Sequence, residues 1–382
     1  MAEKKQIYRI GIDARFYGPI GKGLGRYQQE IVDNILKMDE VNEYVIFLSP
    51  ANYDFFQERP PRIRKVLARS RWYTLSEQIS MPYLIWRESL DLMHFPHFNV
   101  PIFYWGKFIV TIHDLIITHF PTRRATTLGP LLYKIKQFGY RIVIWFAAKR
   151  AKKIITVSKF SKQEIIRHFK LPDEKVAVTY EACDLPLAIT ASFEELARRF
   201  KITKPFLLYV GNTYPHKNLE KMLAAFQKLI KEEKLNIQLV LVGKEDYFSK
   251  RLQAKAKEMN LAEDVIFTGF VEDRELPLYY RNALLYVFPS SIEGFGLPPL
   301  EAMSYGLPVA SSKAPCLPEI LQDAAEYFDP TKIDDIVRVV KRLVVDEKLR
   351  NQLKAKGLEH VKKFSWGKMV ERTHSIYLQK LT

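Results

Sequence analysis

The chain alternates two patterns of hydrophobic positions. Short runs rich in β-branched and apolar residues are separated by longer segments in which apolar residues recur every three or four positions. The first pattern is typical of buried strands and the second of amphipathic helices. Their regular alternation indicates βαβ units around parallel sheets. We therefore predict an α/β protein and not a sandwich or a helical bundle.

The predicted strands fall into two series. The first comprises Ile7–Phe16, Tyr44–Leu48, Leu92–Phe95, Phe108–His113, Ile154–Val157 and Val176–Tyr180, with helices from near Arg26 and over Leu131–Lys149. The second comprises Phe206–Val210, Gln238–Val242, Val265–Thr268, Leu284–Phe288 and Pro308–Ala310, with helices at Leu219–Leu229 and Ala254–Met259 and an amphipathic stretch from Ile333 to Phe364. The alternation lapses near residues 185–204, which predicts two domains, residues 1–190 and 200–365. Residues 366–382 form a C-terminal segment, a candidate for packing back on the first domain.

Composition agrees with two domains and adds a charge asymmetry. A chain of 382 residues with 47% hydrophobic content exceeds what one core usually supports. Its net charge of +16 lies mainly in the first half. Residues 122–153 hold nine Lys or Arg and no Asp or Glu, interleaved with aromatic residues. This segment predicts either a helix on an anionic membrane or a core-packed helix with a solvated basic face.

Two further features bear on location. No run reaches the roughly 18 to 20 apolar residues that span a bilayer, and the N-terminus carries no export signal. Two cysteines are too few for a disulfide framework. We expect a cytoplasmic protein, either free or peripheral on the inner face of the cell membrane.

The densest candidate site is the stretch from Ser290 to Met303, directly after a predicted strand. Gly294 and Gly296 let the backbone approach a ligand, and free amides of the following helix can face an anion. Glu293 in the loop and Glu301 one turn into the helix can accept hydrogen bonds from hydroxyl groups. Ligands of open parallel sheets bind beyond the carboxyl ends of strands, where this stretch lies.

A second candidate segment, Gly211 to Asn218, ends the first strand of the second series. Lys217 can pair with a diphosphate beside a helix N-terminus. The alternative is that Asn218 caps a helix and Lys217 is solvated.

The first series offers two weaker candidates. Glycines at positions 21, 23 and 25 suit a loop that closes over phosphate, although a flexible turn is the better explanation of the glycines alone and no full dinucleotide fingerprint is present. His113 follows a predicted strand and can reach a ligand, or it is a hydrogen-bonded structural residue. Asp114 is expected to support its loop, and Ser158 or Ser161 to cap a helix.

Together these motifs resemble the retaining, nucleotide-sugar-dependent glycosyltransferases of family 4, also called group 1. That family has the GT-B architecture, two Rossmann-like domains whose parallel sheets face a central cleft. Its signature is two glutamates separated by seven residues, which Glu293 to Glu301 reproduces. The resemblance implies an acceptor-binding domain over residues 1–190 and a donor-binding domain over residues 200–365. It also implies hexosyl transfer to a glycan or lipid-linked acceptor, with mannose from GDP-mannose as the first candidate.

By the same resemblance Glu293 contacts the donor sugar, Glu301 the ribose and His113 the sugar pocket. The implied catalytic residues are His113, Glu293 and Lys217. The implied donor-binding residues are Gly23, Gly25, Gly211, Asn212, His216, Lys217, Glu293, Gly294, Phe295, Gly296, Leu297 and Glu301. Where the family often has a phosphate-binding arginine near the lysine, this sequence offers Asn212 and His216.

No Asp-x-Asp triplet occurs, so we expect no metal site and no cofactor, with cationic side chains and helix ends stabilising the leaving diphosphate. Two alternatives remain. A nucleotide-sugar epimerase or phosphorylase on the same fold differs in its acceptor requirement. A non-enzymatic, basic nucleic-acid-binding protein accounts for the charge and the aromatic content, but no nucleic-acid motif is present, and we expect no nucleic-acid partner.

Overall fold

The computed structural model describes residues 6–18, 22–119, 130–183 and 192–381, in two compact units. The first unit holds the described residues up to His119, those from 130 to Glu181, and those from Ser365 onward. The second holds the described residues from Ala182 to Phe364. Within the described residues, the chain leaves the first unit after Glu181 and returns to it at Ser365.

The first unit is built on a seven-stranded parallel sheet. Its strands are β1 (Arg9–Asp13), β2 (Glu43–Leu48), β3 (Ile63–Leu67), β4 (Leu92–Phe95), β5 (Phe108–Thr111), β6 (Lys153–Thr156) and β7 (Val176–Val178). The order across the sheet is β3-β2-β1-β4-β5-β6-β7, and every pair is parallel. The direction of strand addition reverses between β1 and β4, which is the switch point where such sheets bind ligands.

Helices cover both faces of this sheet. They are α1 (Lys22–Met38), α2 (Leu75–Arg87), α3 (Ile116–His119), α4 (Pro130–Arg150) and α5 (Lys159–Phe169), together with the C-terminal helix Trp366–Leu381. One core contains residues from α2, α4 and α5, and the opposite core contains residues from α1 and the C-terminal helix. Ser158 caps α5 by accepting a hydrogen bond from the Ser161 N–H at 3.0 Å, as one of the two predicted caps.

The second unit repeats the arrangement with six parallel strands. They are β8 (Phe206–Val210), β9 (Gln238–Val242), β10 (Val265–Gly269), β11 (Leu285–Phe288), β12 (Val309–Ser312) and β13 (Ala325–Phe328). Their order is β10-β9-β8-β11-β12-β13, with the reversal between β8 and β11. The prediction of an α/β fold with two parallel, Rossmann-like sheets is confirmed.

The helices of the second unit lie before, between and after its strands. They are α6 (Phe193–Phe200), α7 (Leu219–Lys231), α8 (Tyr247–Glu258), α9 (Leu276–Asn282), α10 (Leu297–Ser304), α11 (Leu317–Leu321), α12 (Ile333–Val345) and α13 (Glu347–His360), and the C-terminal helix is α14. The stretch predicted as continuous from Ile333 to Phe364 divides at Asp346. The Asp346 carboxylate caps α13 by accepting a hydrogen bond from the Leu349 N–H at 2.8 Å.

One predicted boundary is wrong in a way that affects the candidate site. The helix expected to begin near Arg26 begins at Lys22, so Gly23 and Gly25 lie in the first turn of α1 and not in a loop. Gly21 lies outside the described residues.

Candidate active site

The Glu293 loop connects β11 to α10 and is shaped by Gly296. Gly296 has a φ of 107°, a left-handed conformation that favours glycine. A Cβ there would also lie 2.6 Å from Leu317. The helix then begins at Leu297 with Pro298 and Pro299 in its first turn, where no intrahelical N–H bond is lost. Glu293 is thus held at the carboxyl end of the strand, before a helix N-terminus.

Lys217 and Glu293 come together as an ion pair. The Lys217 Nζ lies 2.6 Å from Glu293 Oε1, and the two side chains are only 13% and 10% exposed. Lys217 ends a short 3-10 turn (Pro215–Lys217) that follows β8. The backbone N–H of Ser291 donates to the His216 carbonyl at 2.8 Å, so the two loops are also joined through their backbones. An ammonium and a carboxylate are therefore fixed at the switch point of the second sheet.

Asn218 ties the loops together and does not serve as the predicted side-chain cap. Its φ is 59°, and its side chain makes no capping bond to α7. Its Nδ2 instead donates to the carbonyls of Pro289, at 3.1 Å, and Pro330, at 2.9 Å. The amide holds the backbone that carries Lys217 against the end of β11.

Glu301 faces a cluster of buried tyrosines that the sequence did not single out. The Tyr280 hydroxyl donates to Glu301 Oε2 at 3.1 Å. Burial raises the pKa of Tyr209, Tyr280 and Tyr286 well above the ordinary tyrosine value, and nearby carboxylates act in the same direction. For Tyr286 these include both Glu301 and Glu293. The two glutamates therefore flank one set of neutral phenols.

The remaining donor-side residues divide into backbone and side-chain roles. Gly211 follows β8, and a Cβ there would lie 2.9 Å from the Tyr209 hydroxyl, which donates to the Asn212 carbonyl at 2.6 Å. Phe295 is buried, with its ring against Phe364. Its side chain packs in the core, so only the backbone of Phe295 suits ligand contact, whereas Leu297 is partly exposed.

His216 does not replace the missing arginine as a cation. Burial and the neighbouring Lys217 charge lower the pKa of His216 to about 4. The imidazole is therefore neutral at physiological pH. Lys217 carries the positive charge of this segment, and His216 and Asn212 can offer a phosphate only neutral hydrogen-bonding groups.

His113 follows β5 in the first unit, one strand beyond the switch point between β1 and β4. Its Nδ1 lies 3.2 Å from Glu181 Oε1 and its Nε2 lies 3.3 Å from the Pro96 carbonyl, while its ring packs edge-on against Tyr27. Burial alone would lower the pKa of His113, but the hydrogen bond and charge of Glu181 raise it above the ordinary histidine value. Asp114 supports the loop as expected, because its carboxylate accepts the Ile116 N–H at 2.8 Å.

Gly23 and Gly25 differ in what surrounds them. A Cβ on Gly25 would lie 2.2 Å from the Gly18 carbonyl oxygen and 2.5 Å from that of Phe16, whereas nothing lies within 4 Å of one on Gly23. Gly25 thus allows the loop after β1 to approach the first turn of α1. Their assignment to donor binding stays a prediction.

Two family models cover most of the chain. The description "Glycosyltransferase Family 4" matches residues 22–186, and "Glycosyl transferases group 1" matches residues 192–360. The chain belongs to these glycosyltransferases. The predictions of the family and of a transferase enzyme are confirmed.

Similar proteins support this assignment. The glycosyltransferase is 29% identical to an Escherichia coli O-antigen chain mannosyltransferase B over 93% of this chain and 95% of the relative. It is 26% identical to the Salmonella typhimurium O-antigen chain mannosyltransferase RfbU over 82% of this chain and 84% of the relative. Among solved structures, sucrose-phosphate synthase from Thermosynechococcus elongatus matches with a TM-score of 0.76 at 19% identity, over 97% and 98% of the two chains. The GT-B fold class is confirmed.

Proposed function

We propose that this glycosyltransferase moves a mannosyl group from a nucleotide-sugar to a hydroxyl of a growing glycan or lipid-linked acceptor, with retention of configuration. The first candidate donor is GDP-mannose. The family assignment supports glycosyl transfer, and two relatives are named as mannosyltransferases of O-antigen chains. The observation that carries the donor site is the Lys217–Glu293 ion pair at the switch point of the second sheet.

The site residues suggest how the reaction proceeds. As the acceptor hydroxyl oxygen bonds to the anomeric carbon and the bond from that carbon to the diphosphate breaks, the hydroxyl proton passes to a leaving phosphate oxygen. Lys217 and the N–H groups that remain in the first turn of α10, those of Leu297 and Leu300, are placed to stabilise the negative charge on that phosphate. A diphosphate competes with Glu293 for Lys217, and the released carboxylate can accept a hydrogen bond from the sugar. Glu301, oriented by Tyr280, suits the ribose hydroxyls. This chemistry needs no metal or cofactor.

The donor site is tested by thermal shift and hydrolysis with GDP-mannose, GDP-glucose and UDP-glucose. A ligand that binds only the native state raises the unfolding free energy, by about 2.7 kcal/mol at a hundred times its dissociation constant. We expect GDP-mannose to raise the melting temperature of the wild type and not of Glu301→Ala. Glu347→Ala, an exposed position at the start of α13, is the matched control and keeps the shift.

An unchanged GDP-mannose shift in Glu301→Ala would remove the ribose assignment. Product analysis separates the enzymatic alternatives, because an epimerase converts its nucleotide-sugar without an acceptor, whereas a transferase produces a longer glycan. The configuration of the new linkage, read by NMR, decides between retention and inversion.

We also propose that α4 places the enzyme on an anionic membrane surface. Ile135, Phe138, Ile142 and Trp145 recur at spacings of three and four along α4 and are between 42% and 66% exposed. They are accompanied on this helix by Lys134, Lys136, Arg141, Lys149 and Arg150. Amphipathic helices that lie on anionic bilayers combine an apolar face with such cations. None of the described helices is long and apolar enough to cross a membrane; residues 122–129 of the predicted segment lie outside the described residues.

Co-sedimentation with phosphatidylglycerol-containing and with pure phosphatidylcholine vesicles tests this proposal. We expect binding to the anionic vesicles that weakens in Phe138→Ala/Trp145→Ala. Phe55→Ala removes an aromatic ring outside α4 that is even more exposed than those of Phe138 and Trp145, and it serves as the control. Equal binding to both vesicle types, or none, contradicts the proposal.

A further inference from the structure

We propose that Phe16, Trp72, Tyr73 and His97 form an aromatic platform that binds a hexose ring of the acceptor glycan. This inference rests on the glycosyl transfer proposed above and names the acceptor contacts within the first unit. The apolar C–H face of a hexose packs on aromatic rings, and its hydroxyls bond to the polar groups beside them.

The platform lies where a ligand of the first sheet is expected. Phe16 follows β1, Trp72 and Tyr73 follow β3, and His97 follows β4. These strands are parallel and belong to one sheet, so their carboxyl ends meet at one edge, on either side of the switch point. The carbonyl of Pro96, next to His97, is 3.3 Å from Nε2 of His113, so the platform adjoins the candidate catalytic histidine.

The four rings form one assembly. Phe16 and Trp72 stack with centroids 4.0 Å apart and planes 6° apart. His97 packs edge-on against Phe16, and its Nε2 lies 2.8 Å from the Tyr73 hydroxyl. Tyr73 is 58% exposed to solvent, which is a large fraction for an aromatic residue beside a hydrophobic core. The arrangement presents aromatic surface to solvent at a ligand-binding edge.

The backbone beneath the platform is held in a costly conformation. Tyr73 has a φ of 62°, which is rare for an aromatic residue and concentrates at functional sites. Its N–H donates to Glu77 Oε2 at 2.8 Å. Glu77 is fully buried, and its other oxygen lies 2.6 Å both from the buried Arg15 guanidinium and from the Asn99 side-chain amide. A buried ion pair thus fixes a strained, exposed tyrosine.

Two polar groups of the same loop lack partners. The indole Nε1 of Trp72 and the hydroxyl of Ser70 are buried and have no hydrogen-bond partner among the described residues. Buried donors in native proteins are nearly always paired, so such exceptions call for a specific explanation. A hydroxyl-rich ligand seated on the platform would supply acceptors after a small movement of the Trp72 ring.

The charge of the platform favours a neutral ligand. Burial, together with the positive charges of His113 and Arg15, lowers the pKa of His97 to about 3, so its ring is neutral at physiological pH. None of the four platform side chains then carries a charge. A neutral sugar ring suits this surface better than a phosphate, which calls for cations.

The test measures saccharide binding and donor binding separately. Mannotetraose is titrated into the enzyme of residues 1–382 by saturation-transfer NMR and calorimetry, and GDP-mannose binding is followed by thermal shift. We expect Trp72→Ala to weaken mannotetraose binding, and to raise the acceptor KM, by roughly tenfold or more while the GDP-mannose shift persists. Trp86→Ala, an exposed tryptophan on α2 outside the platform, is expected to behave as the wild type.

Tyr73→Gly provides a second variant, because glycine accepts the left-handed backbone while the ring is lost. If Trp72→Ala does not fold, mannotetraose binding by Tyr73→Gly tests the proposal in its place. Wild-type mannotetraose binding in Tyr73→Gly, or no mannotetraose binding by the wild type, overturns the proposal. If no nucleotide-sugar binds the wild type but mannotetraose still binds through Trp72, the proposed donor function fails and the platform stands.

Discussion

At the scale of single residues, the Lys217–Glu293 ion pair explains how two charged side chains are stabilised although both are nearly buried. Isolated, either charge would be costly to desolvate, and their 2.6 Å contact offsets that cost. In the proposed mechanism a diphosphate donor replaces the Glu293 carboxylate as the anion beside Lys217. Under that proposal the lysine needs no large movement to reach the position where leaving-group charge develops.

Gly25 and Gly23 offer a matched test of local packing. Gly25→Ala would push a Cβ into two backbone carbonyl oxygens, which cannot move as a flexible side chain can, and we expect a loss of roughly 1–3 kcal/mol in unfolding free energy. Gly23→Ala meets open space within α1 and should stabilise the protein by up to about 1 kcal/mol through helix propensity. Urea unfolding measures both, and equal effects of the two substitutions would contradict this account.

The sequence indicates the charged residues of the candidate site better than the neutral ones. Lys217, Glu293 and Glu301 follow strands in glycine-containing segments, and this position indicates that they are candidate site residues. Tyr209 and Tyr286 lie within apolar strands and read as core residues. Their hydroxyls donate to backbone carbonyls, that of Tyr209 to Asn212 and that of Tyr286 to Val210, and a carbonyl partner leaves no mark in the sequence.

At the scale of elements, features of the sequence explain why some strands and helices were not predicted. β3 is an edge strand whose Arg64 and Lys65 break its apolar run. α2 contains Pro82 and carries Leu75, Ile79 and Trp86 on an exposed face, which obscures the contrast between a polar and an apolar side. β13 is an edge strand in which Glu326 interrupts the apolar run. Elements with an uninterrupted apolar pattern, such as β8 and α7, were predicted within two residues of their ends.

Helix α14 is tied to the first sheet through Tyr377. Its hydroxyl lies 2.6 Å from His94 Nδ1, and His94 Nε2 lies 2.9 Å from the Thr111 hydroxyl, with all three groups buried. We expect Tyr377→Phe to lower the unfolding free energy of the first unit by about 1–3 kcal/mol, because it leaves a buried ring nitrogen unpaired.

Leu378→Ala, at a partly exposed position on the same helix, is the control for Tyr377→Phe and should change stability by less than about 0.5 kcal/mol. Native-state hydrogen exchange of β4 and β5 locates the effect. Unaltered exchange of these strands in Tyr377→Phe would show that the hydroxyl is dispensable.

At the scale of the whole molecule, the two units share one sheet topology. Each sheet reverses its strand order between its first strand and a strand three places later in the unit's own sequence, β1 and β4 in one and β8 and β11 in the other. The candidate side chains of each unit follow strands at or beside that reversal. Each unit also buries histidines in neutral form, His94 and His97 in the first and His216 in the second.

These histidines predict acid sensitivity. Burial lowers the pKa of His94 to about 3, far below the ordinary value of 6.5. Between these values the unfolded chain binds a proton that the folded chain does not, so stability falls as the pH drops below 6.5. For His94 alone the loss between pH 7 and pH 5 is roughly 2 kcal/mol. His113, whose pKa is raised, acts in the opposite direction: its stabilising contribution grows as the pH falls toward 6.5, is fully present below that value, and offsets part of this loss near neutral pH.

Thermal melts between pH 7.5 and 5.0 measure this dependence. We expect His94→Gln to be less stable than the wild type at pH 7 but to lose less of its melting temperature on acidification, since the group that must stay neutral is gone. Ser375→Ala, an exposed position on α14, keeps the wild-type slope. The same slope in His94→Gln and the wild type would assign the acid sensitivity to other groups, and His216→Gln would then show whether it arises in the second unit.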